Sequence, residues 1–164
     1  MPLNLYMGIA IIVMISVLFL DQLSKYLVIK NMYIGQSIEV LGNFFKIHYI
    51  ENDGAAFSSF SGMKVILIGI PIVVLTIATI YMIKNIKKSV FQNISLSLVI
   101  SGGIGNLIDR IAKASVTDMF SFSIFPPIFN VADIAVTVGC AMILLYVLFF
   151  ENPEKGNSSG KRKN

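Results

Sequence analysis

Three carboxylates and two carboxamides, Asp109, Asp118, Asp133, Asn106 and Asn130, crowd into one stretch of an otherwise very apolar chain. Hydrocarbon tolerates such groups only where they pair, face protein or meet water, so each is a candidate for function. Asp118 and Asp133 have the chemistry that is simplest to write. Two neighbouring carboxylates cannot both ionise easily, so one keeps its proton while the other serves as a base. A pair of that kind activates a water and protonates a leaving amine, which is peptide hydrolysis by general acid–base catalysis. The only histidine is His48, which offers no serine a base.

Each acid also has a structural explanation. Asp133 follows Asn130 by three residues, which fits a helix capped by Asn130 with Asp133 in the first turn, where the dipole favours negative charge. Asp118, taken alone, fits a solvated loop acid. Asp109 and Arg110 fit an interfacial ion pair, with Arg110 reaching for headgroups. Asp21 and Lys25, four residues apart with the acid first, fit a salt bridge within one helix.

The elements that must position these groups are membrane spans. The chain is 55% hydrophobic and 13% charged, against about 25% charged for a soluble domain. Its apolar runs of about 20 residues match the thickness of a hydrocarbon core. They predict an all-α membrane protein with four transmembrane helices at 8–29, 64–83, 91–109 and 131–150. The first run lacks a basic n-region and contains Asp21 and Lys25, so it is expected to remain as a helix rather than be removed as a signal peptide. Basic residues gather beside the spans, which suits anionic membrane lipids and gives no reason to expect nucleic acid. A single Cys140 and the absence of a C-x-x-C or histidine cluster predict no disulfide, metal or cofactor.

Pro71 predicts a kink in the second span. Ser97, Ser101 and Gly105 place small residues at four-residue spacing, so the third span is expected at the centre of the bundle. Lys84, Lys87, Lys88 and the basic end of the chain are denser than the positive charges of the two longer connections. Both termini are therefore expected in the cytoplasm, with 30–63 and 110–130 facing outward. Alternating residues at 38–41 and 45–50, around Gly42-Asn43, predict a small outward-facing β-cradle over about 36–60, in the first outer loop. Residues 1–150 form one domain, and 151–164 read as a disordered basic tail in the cytoplasm. This topology brings Asp21, Lys25, Asn106, Asp109, Arg110, Asn130 and Asp133 to one interfacial layer, with Asn52 and Asp118 in the outer loops.

The chain resembles the bacterial lipoprotein signal peptidases, signal peptidase II. The matching strings are Asp21-Gln22-Leu23-Ser24-Lys25, Asn52-Asp53-Gly54-Ala55-Ala56-Phe57, Gly102 to Arg110, Val116-Thr117-Asp118-Met119-Phe120 and Phe129-Asn130-Val131-Ala132-Asp133. The resemblance implies an aspartic endopeptidase of the bacterial cytoplasmic membrane, cutting lipid-modified prolipoproteins just before the lipidated cysteine. It implies Asp118 and Asp133 as the catalytic pair. Asn52, Asn106, Arg110 and Asn130 would hold the substrate or a globomycin-type inhibitor, while Asp21, Lys25, Gly54 and Asp109 would support the site. Thr117 and Met119 flank the first acid here, and the short stretch to Asp133 carries Pro126-Pro127, which bears on loop shape and substrate preference. A proton-coupled transporter is the alternative, since intramembrane acids also relay protons. The acids lie at one interface and no repeat is visible, both of which weigh against a transporter. A third alternative is a noncatalytic assembly factor, whose acids are caps and ion pairs.

Overall fold

A computed structural model describes residues 2–54 and 64–150. The helices are α1 (Leu3–Asn31), α2 (Lys64–Lys84), α3 (Val90–Lys113) and α4 (Val131–Phe150). All four are long and apolar enough to cross a membrane. A helix satisfies its backbone within itself, so it can enter hydrocarbon without leaving amides unpaired. α3 is the least apolar, with a mean hydropathy of 1.3 against 2.4, 2.6 and 2.3 for α1, α2 and α4. It is also the most buried, because it packs against all three of the others. Its polar residues, Gln92, Asn93, Ser95, Ser97, Ser101, Asn106 and Asp109, face protein rather than lipid. The other helices expose apolar side chains such as Ile12, Ile15, Phe19, Ile70, Val73, Ile77, Leu144 and Leu148.

Small residues set how closely the helices approach. A Cβ on Gly102 would lie 2.4 Å from the Ala132 carbonyl oxygen of α4, and one on Gly105 would lie 2.5 Å from an Asp21 oxygen of α1. On a third side of α3, a Cβ on Gly103 would meet Leu75 of α2 at 2.5 Å. Gly139 of α4 returns the same favour, since its Cβ would lie 2.7 Å from the Ser95 carbonyl oxygen. The central position expected for this helix is what the structure has, but Gly102, Gly103 and Gly139 act alongside Gly105. Ser97 and Ser101 are fully buried and bond to Met82 Sδ and to the Ser97 carbonyl, respectively.

The sheet is wider than expected. β1 (Ser37–Leu41) and β2 (Phe45–Asn52) form the hairpin around Gly42-Asn43, where Gly42 has φ 51°. β3 (Val116–Phe122) and β4 (Phe125–Phe129) come from the segment read as a loop, and the antiparallel order is β1-β2-β3-β4. The missing signal has a physical cause. Pro126-Pro127 lies within β4, which is an edge strand, where a missing N–H costs no ladder bond. β3 is buried over its first four residues and so does not alternate apolar with polar. α3 likewise runs on past 109 to Lys113 and is closed by Ala114 in the left-handed conformation, φ 63°, whose N–H returns to the Arg110 carbonyl. The second half of the matching string Asn52–Phe57, from Ala55, lies outside the described residues, as does the tail 151–164.

Gly102→Ala should lower the thermal midpoint of the detergent-solubilised protein, by overpacking that costs about 1–3 kcal/mol. Gly8→Ala, where a Cβ would meet nothing within 4 Å, should leave it unchanged. Equal midpoints for the two variants would contradict the close α3–α4 approach.

Candidate active site

The site is built on a buried ammonium group. Lys25, 2% exposed, sends its three N–H bonds to Asp21 Oδ2 at 2.8 Å, Asp109 Oδ2 at 3.2 Å and Asn106 Oδ1 at 3.0 Å. An ammonium has three donors, so every one is used. The acids around it accept further bonds from the backbone. Asp21 Oδ1 accepts the Ala132 N–H in the first turn of α4 at 2.9 Å, and Asp109 Oδ2 accepts the Thr117 N–H at the start of β3 at 3.2 Å. The Asp21–Lys25 bridge expected within α1 is present, and it ties α1 to α3, α4 and the sheet as well. Asp109 does not pair with its neighbour Arg110 as read from sequence; its carboxylate turns inward to Lys25.

Asn106 passes this arrangement to Asp133, one of the two expected acids. Its Oδ1 takes the Lys25 bond, and its Nδ2 donates to Asp133 Oδ1 at 2.7 Å. A cation on the oxygen end of a carboxamide polarises it, which strengthens donation from the nitrogen end. Asp133 also does what its position suggested: Asn130 and Asp133 exchange reciprocal bonds, Asp133 N–H to Asn130 Oδ1 at 2.9 Å and Asn130 N–H to Asp133 Oδ2 at 3.2 Å. That capping box fixes the carboxylate to the helix terminus.

The Asn130 side chain reaches the other acid. Its Nδ2 donates to Asp118 Oδ1 at 2.6 Å and to Asn106 Oδ1 at 3.1 Å. Asn52 Nδ2 donates to Asp118 Oδ2 at 3.0 Å, and Asn52 Oδ1 accepts the Gly54 N–H at 3.0 Å. Asp118 is therefore not a solvated loop acid. It lies in β3, 2% exposed, with an amide on each oxygen. Burial pushes its carboxyl up from the usual 3.8 to about 6. The Asn52 and Asn130 bonds oppose that rise, and the charge of Asp133 adds to it.

Arg110 does not extend to headgroups. It is half-buried, and its Nη2 donates to the Gly54 carbonyl at 3.2 Å. Asn52, Asn106, Arg110, Asp118 and Asp133 all line one cavity of about 670 Å³. The remaining walls are mostly apolar and include Pro71 of α2, Gly103 of α3, and Ile134 and Val138 of α4. These wall residues carry no chemistry that a sequence reading can single out, and only the packing of α2 on Gly103 and of α4 on Gly102 places them here.

Residues 13–149 match the family model described as signal peptidase (SPase) II. The chain belongs to the signal peptidase II family. A lipoprotein signal peptidase of Clostridium acetobutylicum is 40% identical over 143 residues, covering 85% of this chain and 93% of the relative. One from Staphylococcus haemolyticus is 38% identical over 146 residues, covering 87% and 92%. A solved bacterial membrane enzyme superposes with a TM-score of 0.85 at 32% identity, covering 95% of both chains. A second superposes at 0.81 with 34% identity, covering 87% of this chain and 94% of the other. For this member of the signal peptidase II family, the fold expected from the resemblance is therefore the fold observed: a multi-pass membrane protein with a small antiparallel sheet.

Two stability measurements test the network. Lys25→Met leaves Asp21 and Asp109 buried without their cation and should cost about 3–5 kcal/mol, seen as a large drop in thermal midpoint; an unchanged midpoint would contradict the central ammonium. Asp118 favours its proton in the folded state, so its contribution to stability is present below about pH 4 and lost as pH rises through about 6. The midpoint of wild type relative to Asp118→Asn should fall across that window, and a flat difference would contradict the raised value.

Proposed function

We propose that this chain is an intramembrane aspartic endopeptidase that removes the signal peptide from diacylglyceryl-modified prolipoproteins, cutting just before the lipidated cysteine. Asp118 and Asp133 are the catalytic pair. The observation that carries this reading is the relay Asp118–Asn130–Asn106–Asp133 at the wall of a largely apolar cavity. Two carboxylates are held there by amides that orient them without neutralising either. Membership in the signal peptidase II family supports the same substrate class.

The proposed chemistry uses the pair as one acid and one base. The ionised carboxylate takes a proton from water, and the oxygen of that water attacks the scissile carbonyl carbon. The protonated carboxyl hydrogen-bonds the carbonyl oxygen as negative charge develops there. Collapse of the tetrahedral intermediate breaks the C–N bond, with a proton passing from the pair to the leaving amine. The two acids titrate as a unit, so the proton belongs to the pair. Asn52 and Asn130 orient Asp118, Asn106 and Asn130 orient Asp133, and Arg110 holds the Gly54 segment at the cavity edge, where substrate or a globomycin-type inhibitor would bind. Asp21, Lys25, Gly54 and Asp109 support these groups from behind.

The apolar cavity wall suits a substrate anchored in the bilayer by its acyl chains, with the scissile bond delivered at interfacial depth. Both termini would then be cytoplasmic and the sheet would face outward, in the bacterial cytoplasmic membrane.

The test is cleavage by purified protein in detergent of a lipobox peptide with and without its diacylglyceryl group, with the products located by mass spectrometry. Wild type should cut only the lipidated peptide, immediately before the modified cysteine. Folded Asp118→Asn and Asp133→Asn should each be at least about 100-fold slower. Cleavage elsewhere, or a full rate in either variant, would overturn the reading.

A further inference from the structure

Behind the site, on the opposite face of the sheet, sits a second polar cluster that the proposed chemistry does not use. Its centre is Glu51. The carboxylate accepts from Lys113 Nζ at 2.7 and 2.8 Å, from Ser115 Oγ at 2.6 Å, from Thr117 Oγ1 at 3.1 Å and from Tyr49 Oη at 2.8 Å. Lys113 also bonds Thr117 Oγ1. Glu51 thus gathers groups from β2, the last turn of α3, the connection after it and β3. Burial works to raise its carboxyl, but the bonds from Lys113, Ser115 and Tyr49, with the Lys113 charge, win and hold it below the usual value. It is a formed ion-pair cluster rather than a solvated charge.

The pairing of the strands gives this cluster a consequence. Glu51 is opposite Thr117, Ile50 is opposite Asp118 and Asn52 is opposite Val116. Successive side chains of a strand point to opposite faces. Glu51, Tyr49 and Thr117 therefore share the back face, where Ser115 reaches Glu51 from the connection before β3, while Asn52 and Asp118 share the front, as diagonal neighbours joined at 3.0 Å. A slip of one residue turns every side chain to the wrong face. The ladder is already irregular between Ile47 and Ile50, just before this point, so pairing upstream does not carry the register through.

We propose that Glu51 is a positioning residue of the peptidase: by clamping Thr117, Ser115 and Lys113 it fixes β2 against β3 and so holds Asn52 on Asp118. This rests on Asp118 being catalytic. Glu51 touches neither substrate nor the reacting atoms, and its effect reaches the chemistry only through Asn52 and the strand that carries Asp118. Misplacing a catalytic group by about 1 Å can cost on the order of 100-fold in rate, so the clamp matters to turnover more than to substrate capture.

The experiment is steady-state cleavage of the lipidated lipobox peptide in detergent by wild type, Glu51→Ala, Glu51→Gln, Asn52→Ala and Glu51→Ala/Asn52→Ala. Asp118→Asn and Asp133→Asn are run beside them. Glu51→Ala should lower kcat by about 10-fold or more with KM within about 2-fold. The double variant should be no slower than the slower single variant, because both changes remove the same contact. The apparent pKa of the pair, read from the pH profile of kcat, should rise in Glu51→Ala, because Asp118 loses a bond that favours its ionised form. Glu39→Gln, which breaks the exposed pair with Lys46 on the outer hairpin, should keep the wild-type rate and profile.

If Glu51→Ala does not fold, the nearly isosteric Glu51→Gln gives the same comparison with a smaller loss. Wild-type kcat in a folded Glu51 variant, or losses that multiply in the double variant, would overturn the positioning role while inert Asp118→Asn and Asp133→Asn left the catalytic pair standing. Activity in either of those two variants would overturn the pair and the role of Glu51 with it.

Discussion

The Lys25 ammonium is the constraint on which the rest of the molecule depends. A cation buried among membrane helices is stable only if its charge is paired and each of its donors is met by an acceptor, because the desolvation cost of an unpaired ion is several kcal/mol or more. Asp21, Asp109 and Asn106 meet that requirement from two helices. The spare acceptor capacity of the two acids then binds the first turn of α4 and the first residues of β3. One charge therefore fixes where α4 begins and where β3 leaves α3. Asp133 and Asp118 sit one residue beyond those two anchored amides, at Ala132 and Thr117.

Close packing and polar bonding require each other here. Asp21 can reach the α4 terminus only because Gly105 presents no side chain, and α4 can lie against α3 only because Gly102 and Gly139 are bare. Lipid offers no hydrophobic incentive for helices to associate, so close approach and interhelical hydrogen bonds have to supply it. The same bonds that hold the bundle together orient the candidate acids. A site assembled in this way needs no flexible loop to bring its carboxylates together, since a helix terminus carries one and a strand carries the other.

Much of this was legible in the residues, and the parts that were not have physical reasons. Apolar runs and their flanking charges marked all four helices, and the alternation around Gly42-Asn43 marked β1 and β2. β3 and β4 escaped notice because β3 begins as a run of buried side chains with no period of two, while β4 contains two prolines that argue against a strand unless it lies at an edge. The candidate acids, and the carboxamides around them, were found from residue type and from the matched strings. Partners close in sequence, Lys25 for Asp21 and Asn130 for Asp133, were legible from spacing, but the distant ones were not. Asp109 sits beside Arg110 in sequence but bonds Lys25, 84 positions away, because facing protein rather than lipid is decided by helix packing. Glu51 had no distinguishing motif; its meaning depends on strand register, which pairs it with Thr117 and turns it away from Asp118.

The central claim is that two carboxylates, held in one relay, share a proton during cleavage. The pH dependence of kcat/KM for the lipidated lipobox peptide tests it most directly. The account predicts a bell-shaped profile, falling on the acid side as the second carboxylate of the pair is protonated and on the alkaline side as the last proton is lost. A profile governed by a single ionisation, or one that stays flat between pH 4 and 8, would contradict a shared-proton pair and remove the basis for assigning Asp118 and Asp133 to the chemistry.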